Sequence, residues 1–114
     1  MSDGLPRTIS RPLQFKIGCA IGFSNRWNQG QYCSILTSAG IVGCGIYDVA
    51  TAGEFGQAIA IAKGTPAHPL VDPEDLFDAK IVAMTPKAGE LGVELGMCGR
   101  DAVELLLAAE KQDS

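Results

Sequence analysis

The chain has 114 residues, 46% hydrophobic and only 6% aromatic, with a net charge of −4. That size suits a single domain, 1–114, built round small aliphatic side chains. Its Lys and Arg residues are scattered instead of clustered, so no basic stripe suggests a nucleic-acid partner, and no window approaches the roughly 20 apolar residues of a membrane span.

Residues 1–11 read as a flexible N-terminal segment with no export signal. Together with four well-separated cysteines lacking Cys-x-x-Cys spacing, this gives the expectation of a cytoplasmic protein with reduced thiols and no metal site or cofactor. Cys19 and Cys33 are expected to be buried as small hydrophobes.

From Gln14 to Phe23 the residues alternate: Phe15, Ile17, Cys19, Ile21 and Phe23 on one face, Lys16, Gly18, Ala20 and Gly22 on the other. This predicts one strand with a greasy face and a nearly bare one, the bare one open to close approach by a helix, a second chain or a ligand. Ser24 to Gly30 reads as a polar loop carrying the only tryptophan, Trp27, either a binding element or a cap on the core edge. Tyr32–Thr37 and Ile41–Val49 predict the next two strands, with Gly40 taking a left-handed turn position, so the three strands form an antiparallel meander.

Thr51-x-x-Glu54 is a capping box, and a short helix ending near Gly56 followed by a strand over Gln57–Ala62 reconciles it with the alternation of Ala58 to Ala62. Two prolines make Gly64–Asp72 a loop. Asp72-Pro73 opens a short helix to Asp78, Lys80–Met84 is a strand, and Thr85-Pro86 opens a helix to Leu91 that Gly92 closes. Gly99–Glu110 carries one apolar stripe and forms the last helix, followed by a frayed tail, 111–114. This order predicts an α+β fold: a mixed β-sheet, with a three-stranded antiparallel meander plus two further strands and helices packed on one side.

Three blocks resemble one known family: Gly40 to Val49 (GIVGCGIYDV), Asp72 to Ile81 (DPEDLFDAKI), and Leu91 to Met97 running into Gly99 to Leu106. The chain is similar, over about Tyr32 to Leu107, to the YunC-like family, a domain of unknown function. The resemblance implies a small α+β domain whose most recognisable block holds Cys44, Gly45 and Asp48, and it supports the strand over 57–62. The first strand and the Trp27 segment depart from the family pattern. So does Cys98, where a hydroxyl or charged residue is expected.

Two places carry candidate chemistry. Gly43 and Gly45 strip the backbone bare on either side of Cys44, which makes Cys44 the candidate nucleophile, although no base or cation adjoins it in sequence. Asp48, four residues on, lies about 13 Å away along an extended strand. Cys98, Gly99 and Arg100 start the last helix, where backbone amides and the positive dipole end favour a phosphate or carboxylate. His68, the only histidine, would have to serve any Cys–His dyad.

The expectation is a small-ligand- or anion-binding homo-oligomer using Gly43, Gly45, Asp48, Cys98, Gly99, Arg100 and Trp27. A small cysteine-dependent enzyme using Cys44 and a partner-docking structural module are the alternatives.

Overall fold

The computed structural model describes residues 5–45 and 47–112. Four consecutive strands run antiparallel: β1 (Arg7–Gln14), β2 (Cys19–Trp27), β3 (Gly30–Leu36) and the short β4 (Ile41–Gly43). Helix α1 (Val49–Glu54) then crosses over to β5 (Ile59–Lys63), which lies parallel to β4, and β6 (Lys80–Met84) returns antiparallel to β5. Among the described residues the sheet has six strands in the order β1-β2-β3-β4-β5-β6. The fold is α+β, as the order of elements predicted.

A 3₁₀ turn (Pro73–Leu76) and the final helix α3 (Gly99–Gln112) cover one face of the sheet, while α2 (Pro86–Glu90) follows β6. The core lies beneath them: Leu13, Ala20, Ile35, Val42, Ala60, Ala62 and Ile81 from the strands meet Leu76, Val103, Leu106 and Leu107. Alternation along each strand sends the intervening residues to the opposite, outer face.

The N-terminal half required the largest corrections. Residues Arg7–Arg11, expected within a flexible segment, belong to β1, while residues 1–4 lie outside the described residues. The strand expected over Gln14–Phe23 is instead the corner of a hairpin: β1 ends at Gln14, Phe15 N–H donates to the Gly18 carbonyl at 2.8 Å, and β2 begins at Cys19. The faces of β2 are also reversed. Ala20 and Gly22 point into the core, where a Cβ on Gly22 would lie 2.7 Å from Pro73 Cγ, whereas Ile21 remains 39% exposed and Cys19 is exposed. Small residues here let the Pro73 ring approach the sheet, so the greasy side faces outward.

Ser24–Gly30 is not a loop. The hydrogen-bonded ladder continues to Trp27, and the chain reverses through Asn28-Gln29, with Gln29 at φ 65°. The strand expected over Ile41–Val49 stops at Gly43, because Asp48 caps α1; Ile46 lies outside the described residues. Gly40 does not take a left-handed conformation; it is pressed against the Ala58 carbonyl, which leaves no space for a Cβ. Gly92, in contrast, closes α2 at φ 104°, as expected. Helix α3 runs through Gln112, into the expected tail, of which 113–114 lie outside the described residues.

Candidate functional site

The Gly43–Asp48 block folds on itself more than it opens. Gly43 lies under the Tyr47 ring, whose Cε2 would be 2.5 Å from a Cβ at this position. Burial raises the Tyr47 phenol above its ordinary value despite a hydrogen bond with Ser34. The neighbouring glycine behaves differently: nothing lies within 4 Å of a Cβ on Gly45, and Gly45 borders a shallow depression of about 430 Å³ with Ile61, Pro66, Leu70 and Val82.

Cys44 is half-buried, and its backbone N–H donates to the Cys33 carbonyl at 3.2 Å, one step beyond the last ladder pair, Ser34 with Gly43. Burial, reinforced by Cys44 and the carboxylates of Asp75, Asp72 and Glu74, pushes the Cys33 thiol up to about 12. Cys33 is therefore the inert buried thiol that its sequence context predicted, whereas the same expectation for Cys19 is corrected by its exposure on the outer face.

Asp48 is committed to capping α1. It accepts from Ala50 N–H at 3.0 Å and from Thr51 Oγ1 at 2.7 Å. The Thr51 hydroxyl first, then the Ala50 and Thr51 amides, hold its carboxyl below the ordinary value.

The anion site expected at the start of α3 is filled by the chain itself. Gly99 N–H donates to the Ala79 carbonyl at 2.8 Å and Arg100 N–H to the Phe77 carbonyl at 3.1 Å, so these amides have no donor left for a ligand. Gly99 sits directly against the Leu76 carbonyl, and the Arg100 guanidinium stacks 4.3 Å above the Phe77 ring. Cys98 pairs with Lys80 in an isolated bridge. The glycine is there for close packing and the arginine for the aromatic face.

Trp27 packs on Gly30 and, at 6.0 Å between ring centroids, on Tyr32, which in turn meets Tyr47 edge-on. It remains 48% exposed.

A concavity larger than the Gly45 depression lies under the loop 64–72, beside β5 and β6. This open cleft of about 950 Å³ is lined by Lys63, His68, Leu70, Asp78, Lys80 and Val82 among others, a volume within the range of small-molecule sites. The loop is shaped by a turn in which Thr65 N–H donates to the His68 carbonyl and His68 N–H donates back to the Thr65 carbonyl and Oγ1. Its far end is tied down by Asp75, which accepts from the Val71 and Asp72 amides at 3.1 and 2.9 Å, and by the Ser24 hydroxyl, which donates to the Val71 carbonyl at 2.9 Å. Two ion pairs, Arg11 with Glu74 and Arg26 with Asp72, fasten the 3₁₀ turn to β1 and β2.

Within the cleft, Lys63 and Lys80 are direct register partners across β5 and β6. Among the described residues neither ammonium has an ion-pair or hydrogen-bond partner, and the same holds for the Asp78 carboxylate and the His68 imidazole. Like charges directly opposite each other destabilise a ladder. Sequence reasoning passed over this pair because Lys63 and Lys80 are 17 positions apart and meet only through the β5–β6 register. No group of three His, Cys, Asp or Glu side chains converges among the described residues.

The profile of a family described as "Domain of unknown function (DUF1805)" matches residues 43–106. The chain belongs to the DUF1805 family. The matched segment holds Cys44, Asp48 and the start of α3, and also the cleft residues Lys63, His68, Asp78 and Lys80; Trp27 lies outside it. Among solved structures, a protein of unknown function from Thermoplasma acidophilum is similar to this DUF1805 chain at a TM-score of 0.75 and 18% identity, covering 89% of this chain and 94% of that one. At that identity the likeness shows a shared fold. No curated protein matches.

Proposed function

We propose that this DUF1805 domain is a non-catalytic binding module for a small anionic molecule, held in the cleft beneath the loop 64–72. The observation that carries this reading is the in-register pair Lys63 and Lys80, which both line the cleft and have no ion-pair partner among the described residues. A phosphate or carboxylate between them would convert a mutual repulsion into two charge-assisted contacts. His68 supplies a further polar group and Leu70 and Val82 an apolar wall; the carboxylates of Glu74, Asp75 and Asp78 on the same lining repel a bare anion, so the reading favours an anion joined to a small organic body. The protein's place is the cytoplasm, a reading supported by its four free cysteines; among the described residues no helix is long and apolar enough to cross a membrane.

A cysteine-dependent reaction receives less support. No side chain among the described residues hydrogen-bonds the Cys44 thiol, and His68 belongs to the cleft, of which Cys44 is not a lining residue.

The test is thermal unfolding with inorganic phosphate and with a series of small di- and tricarboxylates. A bound ligand at 100 times its Kd stabilises by about 2.7 kcal/mol, so a saturable rise in melting temperature is expected with at least one probe. The rise should vanish in Lys63→Ala/Lys80→Ala. Absence of any shift with every probe, or an undiminished shift in the double variant, would overturn the reading.

A further inference from the structure

The outer face of the sheet is uncovered over its N-terminal strands, and its composition is unusual. Register places Thr8, Ser10, Pro12 and Gln14 of β1, Cys19, Ile21, Phe23, Asn25 and Trp27 of β2, Tyr32 and Leu36 of β3, and Ile41 of β4 on this side; Ser34 shares it but is buried and hydrogen-bonded to Tyr47. A hydrogen bond of 2.8 Å from Thr8 Oγ1 to Asn25 Oδ1 confirms the shared face. None of these residues is charged, in a chain where 19% are. The charges of β1 and β2 lie on the other side, where Arg11 and Arg26 bind Glu74 and Asp72, and the cationic pair of the outer side is confined to the β5–β6 end.

An apolar row crosses this surface in register: Pro12, Ile21, Leu36 and Ile41, one residue from each of four adjacent strands, while the next residue of the row, Ile59 of β5, is buried. Ile21 and Leu36 at its centre are each 39% exposed, and Trp27 stands at one end of the same face. Aromatic and aliphatic side chains without charges are the composition of an interface core, not of ordinary protein surface.

We infer that this face is the contact between two copies of the chain, packed sheet on sheet about a two-fold axis. The absence of charge selects the occupant. A surface with charges of one sign would repel its own copy, and a partner of opposite charge would find nothing here to recognise; an uncharged apolar face is complementary to itself. Size sets the strength. With strands about 4.8 Å apart and rising about 3.3 Å per residue, β1, β2 and β3, of seven to nine residues, form a platform of roughly 14 by 26 Å in projection, to which the three-residue β4 adds little. The patch is smaller than the roughly 800 Å² per partner of a standard interface, so the dimer belongs to the weak, transient class and should dissociate at micromolar concentrations.

The edge of the sheet is the poorer alternative. Pro12 lacks an N–H to donate there, and Arg7 and Arg11 alternate along β1, which blunts strand-to-strand pairing. The inference is independent of the anion cleft, which lies at the β5–β6 end of the sheet.

Sedimentation equilibrium from 1 to 100 µM tests it on the unmodified protein. The expected result is a rise from the chain mass to twice that mass, accompanied by a shift of Trp27 emission to shorter wavelength as the indole is covered. Ile21→Glu/Leu36→Glu, two substitutions at exposed positions, should weaken dimerisation at least about tenfold while far-ultraviolet circular dichroism stays unchanged. A constant chain mass over the whole range, emission that does not change with concentration, or a dimer equally stable in a folded double variant would each overturn the inference. The emission measurement needs no variant, so it decides the matter even if the double variant fails to fold.

Discussion

The Pro73 ring occupies the space where Gly22 would carry a side chain: a Cβ there would lie 2.7 Å from Pro73 Cγ and 2.8 Å from Leu13 Cδ1. This contact joins the 3₁₀ turn to the centre of β2 and sets which face of the strand becomes core. Gly22→Ala is therefore expected to lower stability by about 1–3 kcal/mol, the usual cost of overpacking, measured by urea denaturation. A variant as stable as the parent would show that the turn is not seated on the sheet as described.

Thr85 is 1% exposed and ties three segments together. Its hydroxyl donates to the Gln57 carbonyl at 2.6 Å and accepts from Ile59 N–H at 3.1 Å and Ala88 N–H at 3.3 Å. Thr85→Val preserves the shape and strands these groups, so a loss of about 1–3 kcal/mol is expected, with Thr85→Ser retaining most of the stability.

The thiols should react in a fixed order with a disulfide reagent at neutral pH. Exposed Cys19 labels first, half-buried Cys44 and Cys98 more slowly, and Cys33, with no exposed surface, only after unfolding. Mass spectrometry of partly labelled protein reads the order directly; fastest labelling at Cys44 would instead favour the cysteine-dependent alternative.

Cys33 also sets an alkaline limit. Its folded pKa of about 12 lies above the ordinary 9.0, so the native state holds its proton more tightly than the unfolded chain does. The associated stability is complete below pH 9 and is lost as the pH rises toward 12. Denaturation midpoints should fall across that interval, and Cys33→Ala should fall less steeply.

Asp48 acts at the opposite end of the pH scale. Its carboxyl is held below the ordinary 3.8, so its contribution to α1 is present above that pH and disappears as the pH falls below it. Asp48→Ala should lower the denaturation midpoint at pH 7 and leave it unchanged at pH 2, a difference measurable by paired urea titrations.

Between Gly40 and Glu54 the reading failed, since the cap of α1 is Asp48 and the expected capping box Thr51-x-x-Glu54 lies inside the helix; from Asp72 onward the chain was legible because its punctuation is local. Asp72-Pro73, Thr85-Pro86 and Gly92 fix element ends by backbone chemistry that neighbouring residues alone determine, and the strand over Lys80–Met84 was read to the residue. The N-terminal hairpin was not legible, since Phe15 and Ile17 in its corner keep the same parity as Cys19 and Ile21 beyond it, so the alternation runs through the turn without a break. Side chains of greater bulk were assigned to the core. The fold instead places Ala20 and Gly22 there, because the long-range approach of Pro73 needs the room.

The site was less legible for a related reason. Glycines beside Cys44 and at the start of α3 suggested openings, yet Gly43 receives Tyr47 and Gly99 the Leu76 carbonyl. Glycine reports that something comes near. It does not distinguish a ligand from the chain's own backbone.

Every strand of this sheet lies beside its immediate predecessor in the chain. No strand must be inserted between two that have already paired, so during ribosomal synthesis the ribbon can lengthen by addition to its free margin. Ile35 and Val42 gain the cover of α3 only when that helix has emerged. Nascent chains stalled before Gly99 would consequently be the species most in need of a chaperone.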